Sequence, residues 1–171
     1  MDTNNLYIFS ANFGGQDITS NVKDLVSNNK TINFDTNMSI DTFGDPWPDH
    51  LKALMILYQF GSRPMELLIA SEITGTIVID PDVAVDSART KFLFYDSPIA
   101  AVIWGIMDGQ EGPGDSTKLQ AIATTKVFEA TSDWLGFDGW PNVEKACVVF
   151  VRSDDSFQCF SAREGSTGTV A

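Results

Sequence analysis

The sequence predicts an all-β fold made of two tandem, pseudo-repeated antiparallel β-sandwich modules, with a short helix in each. Short apolar and aromatic runs alternate along the chain with glycine- and proline-rich segments, which is typical of strands joined by turns. Comparing the sequence with itself reveals a repeat at a spacing of 93 residues. No apolar run reaches the ~18 residues that a membrane-spanning helix requires.

Identical residues carry the repeat. Residues 47–76 and 140–169 share seven of thirty positions without a gap, among them Trp47 and Trp140. One residue of slippage upstream then pairs Phe13 with Met107. We therefore divide the chain into three parts, which are module one at 1–78, a linker or extra strand at 79–93, and module two at 94–171.

Five strands are predicted in module one, because these segments are β-prone and bounded by turn residues. The segments are 6–13, 31–35, 53–60, 65–70 and 76–79. Val22, Leu25 and Val26 follow Ser20 at helical spacing, which predicts a short helix between the strands.

Module two repeats this pattern. Its predicted strands are 99–106, 125–130, 146–152 and 157–162, and Leu119, Ile122 and Ala123 predict a helix after Ser116. A module of this size buries only ~60% of its unfolded surface and is marginal alone, so the two modules are expected to pack together. Residues 91–95 either bridge them or add an edge strand.

Composition excludes several classes of function. The chain of 171 residues carries a net charge of −12, and its lysines and arginines are not clustered, which argues against nucleic acid as a partner. The distributed acidity also argues against anionic membranes, and no membrane insertion is expected. Residues 1–5 have neither a basic nor an apolar segment, so the cytoplasm is the expected location.

The inventory of reactive residues argues against an enzyme. The single histidine, His50, lies in a proline-rich turn without a placed nucleophile. Cys147 and Cys159 are expected to be free and inert core thiols, and the alternative is a bridge between them across neighbouring strands. The glycine-rich segments match no phosphate-binding pattern, so no cofactor is predicted. Residues 108–115 contain three carboxylates, but they fit no known calcium-loop spacing and are interpreted as a polar surface loop, so no metal is predicted.

Module one resembles a β-rich module found at the C-terminus of a mitochondrial J-domain protein family and in some bacterial multidomain proteins. The resemblance lies in Asp17-Ile18-Thr19, Leu25-Val26, Phe43-Gly44-Asp45-Pro46-Trp47-Pro48 and residues 52–58. Module two keeps Phe137, Trp140-Pro141 and Lys145-Ala146 of this pattern. That module has no assigned biochemical role and the J-domain is absent here, so the resemblance implies a β-rich fold and no chaperone activity.

A weaker resemblance is to the βγ-crystallins, in which a tryptophan-bearing turn precedes a pair of serines and a strand. Lys52-Ala53 and Lys145-Ala146 occupy the positions of those serines. A lysine removes the hydroxyl ligand and adds a cation, so the resemblance implies no calcium site here.

The candidate binding site is the turn that precedes the long strand in each module. An indole flanked by carboxylate and amide groups is suited to a sugar, because the ring stacks on its apolar face and the oxygens accept its hydroxyl protons. The alternative is that each tryptophan plugs its own sandwich. The candidate residues are Asp45, Trp47 and Asp49 in module one and Asp138, Trp140 and Asn142 in module two, with Trp134 as a further aromatic candidate.

Two functions follow from these alternatives. The first, which is the function that we predict, is a non-catalytic, lectin-like protein that recognises a glycan through its duplicated turns. The second is a structural or storage protein without a small-molecule ligand, which associates through edge strands into a homo-oligomer. Exposed indoles at Trp47 and Trp140 favour the first function, and buried indoles with concentration-dependent association favour the second.

Overall fold

The computed structural model describes residues 4–86, 89–93, 98–108 and 115–171, without the side chains of 91–93, 108 and 115–117. The fold is mostly β, with 44% strand and 17% helix. The strands are β1 Leu6–Phe13, β2 Gln16–Asp17, β3 Ile32–Asp35, β4 Ala53–Phe60, β5 Met65–Ser71, β6 Thr76–Ile79, β7 Thr90–Leu93, β8 Ile99–Trp104, β9 Met107–Asp108, β10 Val127–Glu129, β11 Ala146–Ser153, β12 Ser156–Arg163 and β13 Thr167–Thr169. The helices are α1 Thr19–Asp24, α2 Ser39–Phe43, α3 Asp115–Thr125 and α4 Ser132–Leu135, with a 3-10 turn at Thr36–Met38.

The strands form two larger antiparallel sheets and two ribbons. The first sheet has the order β2-β1-β4-β5-β7 and the second has the order β12-β11-β8-β9. The ribbons are β3-β6 and β10-β13. The central strands β4 and β11 are apolar along nearly their whole length, which suits strands that are covered on both faces.

Each sheet is covered on one face by its own ribbon and helices. Phe13 and Leu54 of the first sheet share a core with Val22 of α1 and Phe34 of β3. The second sheet has a corresponding core, which contains Trp104, Ile122, Phe128, Leu135 and Val149. In these helices, apolar residues recur every three to four positions, and in the ribbon strands they recur every second position. Each element therefore has one apolar side, which packs against the sheet.

The other faces of the two sheets pack on each other. Met55, Leu57, Ile103, Val148 and Phe150 belong to this shared core. The two modules were expected to pack together, and they do so through these faces of the two larger sheets. A sandwich within each module stays a prediction. The physical reason is that β4 and β11 present apolar side chains on both faces, so the face that its own helices leave uncovered must be buried against another sheet.

The upstream part of the predicted repeat alignment is wrong. Phe13 lies opposite Leu54, and the residue in the corresponding place opposite Cys147 is Trp104, whereas the alignment paired Phe13 with Met107. Helix α1 has 6 residues, whereas the corresponding helix α3 has 11. An alignment that shifts by only one residue cannot accommodate this difference, so the residues before the helices are aligned incorrectly. Trp104 is the counterpart of Phe13, and both side chains are fully buried.

The two cysteines are not bonded to each other. Strand pairing places Cys159 opposite Phe150 and Cys147 opposite Ala162, and both thiols are free. In the part of the chain that is described, no helix combines the length and the apolar character needed to cross a bilayer.

Candidate functional site

The two tryptophan-bearing turns are built in the same way. The Asp45 carboxylate accepts a hydrogen bond from the Trp47 backbone N–H at 3.2 Å. Asp138 accepts the corresponding bond from Trp140 at 3.1 Å. An aspartate that bonds to the backbone two residues further on fixes a tight turn, so both carboxylates have a structural role at these positions.

Asp49 and Asn142 complete the turns. Both are exposed, and their φ angles of 64° and 61° lie in the left-handed region. Aspartate and asparagine enter this region more readily than other residues with a Cβ. The residue type at these two candidate positions therefore meets a backbone requirement of the turn.

A buried lysine lies behind the first turn. Lys52 is only 2% exposed, and its Nζ lies 3.1 Å from Oδ1 of Asp45 and 3.6 Å from Oε1 of Glu72. The same ammonium donates to the backbone carbonyls of Trp47 and His50. A charge this deeply buried needs such partners, because its desolvation is otherwise unfavourable.

The second turn has the same arrangement. Lys145 is 4% exposed, and its Nζ lies 3.1 Å from Oδ1 of Asp138 and 3.3 Å from Oε2 of Glu164. It also lies 5.0 Å from the centre of the Trp104 ring, which adds a cation–π contact. We call each set of one lysine and two carboxylates a lysine clamp.

A glycine beside each clamp allows the lysine stem to approach the backbone. Gly14 and Gly105 have φ angles of 56° and 67°, and each N–H bonds to the strand after the turn at 3.1 Å, to Ala53 and Ala146 respectively. A Cβ at Gly14 would lie 2.7 Å from Cγ of Lys52. A Cβ at Gly105 would lie 2.8 Å from Cβ of Trp140 and 3.0 Å from Cδ of Lys145. Side chains at both glycines would therefore crowd the turn and the lysine stem, besides straining the backbone.

The fold brings the two turns to one place between the sheets. Gly14, Trp47 and Lys52 line a narrow cleft together with their counterparts Gly105, Trp140 and Lys145. Its volume of about 10 Å³ is enough for about one water molecule. At its side, Nε2 of His50 lies 2.9 Å from Oε2 of Glu144 and so links the two turns. The cleft is too small for a sugar ring.

Two side chains cover the Trp47 indole. The His50 ring stacks on it at 4.5 Å between centroids, and the Arg163 guanidinium lies 4.7 Å from its centre. Trp47 is 6% exposed, while Trp140 is half-buried against the core between the sheets. Glycan binding by these residues stays a prediction, and the geometry of Trp47 matches the alternative in which the indole is a plug.

The third aromatic candidate lies elsewhere. Trp134 is half-buried on helix α4 against the core of the second sheet, and the Lys118 ammonium lies 4.5 Å from the centre of its ring. It is not among the residues that line the cleft between the turns. The structure therefore joins Trp47 and Trp140 at one site and leaves Trp134 apart.

The joined turns contain ion pairs between buried lysines and carboxylates that are mostly partly exposed. The Trp140 backbone N–H and then the Lys145 ammonium lower the pKa of Asp138, which keeps it ionised against the lysine. Burial raises the pKa of both Cys147 and Cys159, as expected for thiols that are not activated. No group of three potential metal ligands occurs among the described residues. Residues 109–114, which form most of the acidic loop 108–115, lie outside the described residues.

The sequence prediction missed half of each clamp. Glu72 and Glu164 lie 20 and 19 residues after their lysines, so a gapless comparison at one spacing does not align them. The Gly14–Gly105 pair was lost with the upstream register. The detectable signal was the repeated Lys-Ala pair at the start of the long strand, because a lysine that enters a buried strand requires nearby carboxylates.

Comparisons of the chain with protein-family models, with curated proteins and with solved structures found no match. Its function is therefore inferred from its own geometry.

Proposed function

We propose that the protein is a non-catalytic structural protein that associates with copies of itself by pairing the outer edge of strand β12. One observation carries the proposal: the corresponding edge of β5 is covered by β7, whereas β12 is the last strand of its sheet. The tryptophan-bearing turns then stabilise the fold on which this edge is presented.

The proposal treats residues 1–78 and 94–171 as two copies of one unit, with 79–93 as an insertion between them. Strands β1, β4 and β5 pair in the same order as β8, β11 and β12. The contact between Lys52 and Glu72 also recurs between Lys145 and Glu164. Because β7 belongs to the insertion, it occurs only once and covers the edge of β5 but not the equivalent edge of β12.

The backbone of β12 has hydrogen-bonding groups on its outer side. In β5, the Ile69 N–H points away from β4 and donates to the Arg89 carbonyl at 2.8 Å. The same alternation in β12 directs the backbone groups of Phe157, Cys159 and Ser161 outward. Within the described residues, no strand pairs with this side of β12.

The side chains of this edge favour association. Strand β12 has 8 residues, and Phe157 and Phe160 on it are only half-buried. Its one charged residue, Arg163, lies at its end. Soluble proteins usually protect such an edge with central charges, prolines, bulges or short strands, so a long uncharged edge is a site for adding a strand.

A second copy of the chain is the partner that this edge fits. An antiparallel edge strand pairs with its own copy around a two-fold axis, which uses each open edge once and closes the assembly as a dimer. The net charge of −12 on each copy opposes association. Salt screens this repulsion, so association is expected to strengthen as the ionic strength rises to about 0.15 M.

Sedimentation velocity tests the proposal with a matched pair of variants. Gln158→Lys places a charge on the edge, and Gln120→Lys makes the same chemical change on the exposed side of α3. The wild type and Gln120→Lys should associate between about 1 µM and about 1 mM, while Gln158→Lys should stay monomeric. A monomeric wild type, or equal association of both variants, overturns the proposal.

A glycan array decides between this proposal and the lectin-like prediction. Self-association without glycan retention is the expected result. Retention of one glycan class, with tryptophan fluorescence quenched by that glycan, would instead favour recognition by the tryptophan-bearing turns.

A further inference from the structure

A second cavity lies away from the lysine clamps, on the ribbon side of the first sheet. Its volume is about 200 Å³, and it is bounded by β4, β5 and β6, by Thr90 at the start of β7, and by the segment 80–86. Leu68, Ile77 and Ile79 form apolar walls, while Tyr58 and Glu66 lie among the lining residues. Neither the proposed self-association nor the tryptophan-bearing turns use this cavity.

Glu66 is a buried acid in this cavity. It is 4% exposed, and its Oε2 accepts a hydrogen bond of 2.6 Å from the Tyr58 hydroxyl. Burial and this hydrogen bond raise the pKa of Tyr58, so the phenol keeps its proton and acts as the donor. No lysine, arginine or histidine among the described side chains forms an ion pair with Glu66. A cation placed beside a buried carboxylate stabilises its charged form.

The charges around the cavity favour a cation. Asp80, Asp86 and Arg89 also line it, so three carboxylates accompany one guanidinium. Nη1 of Arg89 lies 3.4 Å from Oδ2 of Asp86, which directs this cation to the carboxylate of the linker segment. Arg89 therefore pairs with Asp86, and Glu66 is left as a cavity-lining acid that a cation can bind.

The second half of the molecule shows that the fold does not require this acid. Tyr58 and Glu66 lie opposite each other on β4 and β5. The corresponding opposed pair on β11 and β12 is Val151 and Gln158. The strands pair equally well without a phenol and a carboxylate, so the Tyr58–Glu66 pair is specific to the cavity in the first half.

We propose that this cavity binds a small organic ammonium ion, whose nitrogen donates to the Glu66 carboxylate while its apolar body contacts Leu68, Ile77 and Ile79. The ammonium supplies a counter-charge that none of the described side chains gives Glu66. The volume suits a compact ligand, since a cavity of about 150 Å³ accommodates benzene.

Calorimetric titration with two probes of the same shape tests the proposal. 2-Phenylethylamine is an ammonium ion at neutral pH, and 2-phenylethanol is its uncharged analogue. We expect the amine to bind the wild type at least tenfold more tightly than the alcohol. Absence of amine binding up to about 10 mM, or equal binding of both probes, overturns the proposal, and neither result requires a variant.

Two charge-matched variants then locate the site. Glu66→Gln should reduce amine binding at least tenfold and abolish the preference over the alcohol. Glu129→Gln removes one negative charge from an exposed position on β10 and should bind the amine as the wild type does. Equal loss of binding in both variants would mean that only the overall charge attracts the amine, and unchanged binding in Glu66→Gln would exclude this site.

Discussion

The outer edges of β5 and β12 hold the same position in their two sheets, yet they differ in cover. Strand β7 pairs with β5, and the side chains of β5 after Met65 are buried. The side chains of β12 are mostly exposed or half-buried, and in the described structure β12 has a neighbour in its sheet on one side only. Among the described residues, β7 therefore covers the outer edge of β5, and no strand pairs with the outer side of β12.

The two tryptophan-bearing turns also differ in how far their side chains are covered. Trp47 is covered by His50 and Arg163, whereas Trp140 has no ring stacked on it among the described side chains. The carboxylates of the first clamp are 32% and 12% exposed, and those of the second are 44% and 34% exposed. The two turns therefore have the same local geometry, but the first is more deeply buried than the second. This difference in burial predicts the following effects.

Replacing the covered tryptophan should have the largest effect. Trp47→Ala should lower the free energy of unfolding by about 3–5 kcal/mol, because it leaves a cavity where the indole was. Trp140→Ala should cost less, since its side chain is only half-buried. Urea unfolding of both variants measures the difference. A loss below about 1 kcal/mol for Trp47→Ala would contradict the plug interpretation.

The two lysine clamps should differ by a smaller amount. Lys52→Met leaves less exposed carboxylates unpaired and should cost about 2–3 kcal/mol, while Lys145→Met should cost about 1 kcal/mol because water solvates its partners better. Urea unfolding at neutral pH compares the two variants. A larger loss for Lys145→Met would mean that carboxylate exposure does not set the order.

Loosening the cover of β5 should make the two edges more alike. Lys91→Pro removes a backbone N–H from β7, which pairs with Leu67 of β5, and should cost about 1 kcal/mol. It should also increase self-association, because the second edge becomes available. Sedimentation at equal protein concentrations measures this change. Unchanged or weaker association would show that β7 does not protect the edge.

The smallest effect concerns the response of the second clamp to acid. Because the folded-state pKa of Asp138 lies below its ordinary value of 3.8, its contribution to stability is present above 3.8 and is lost as the pH falls through the folded pKa. Asp138→Asn should therefore flatten the loss of stability between about pH 5 and about pH 2. Urea unfolding across this range measures the slope, and the exposed Asp155→Asn is the control. Equal slopes in the wild type and Asp138→Asn would contradict the prediction.

Much of the strand pattern was readable from local sequence. The bounds predicted for β1, β4 and β6 agree with the structure, because each strand is an apolar or alternating run between turn residues. The strands β2 and β9 have 2 residues each, and α2 and α4 have 5 and 4, so none is long enough to show a period. The helix predicted after Ser20 is present, but it spans Thr19–Asp24, so that it includes Ser20 and ends before Leu25 and Val26.

The candidate site was predicted in part. The repeated Trp-Pro turns and Lys-Ala pairs were visible because they recur at one spacing. Their acidic partners were not, because Glu72 and Glu164 reach the lysines only through the registers of two hairpins of unequal length. That the two turns meet at one cleft depends on the packing of the sheets, which no local pattern encodes.

The sequence by itself determined where strands form, where the chain turns, and which turn is used twice, because these properties depend on residues that are close along the chain. The tertiary structure decided which faces of the two sheets share a core, that the Trp47 indole is enclosed, and that Glu66 lines a cavity. It also decided that β12 has, among the described strands, no partner on its outer side. These outcomes arise from contacts between residues far apart in sequence, and burial and charge compensation act on such contacts only once the sheets have packed.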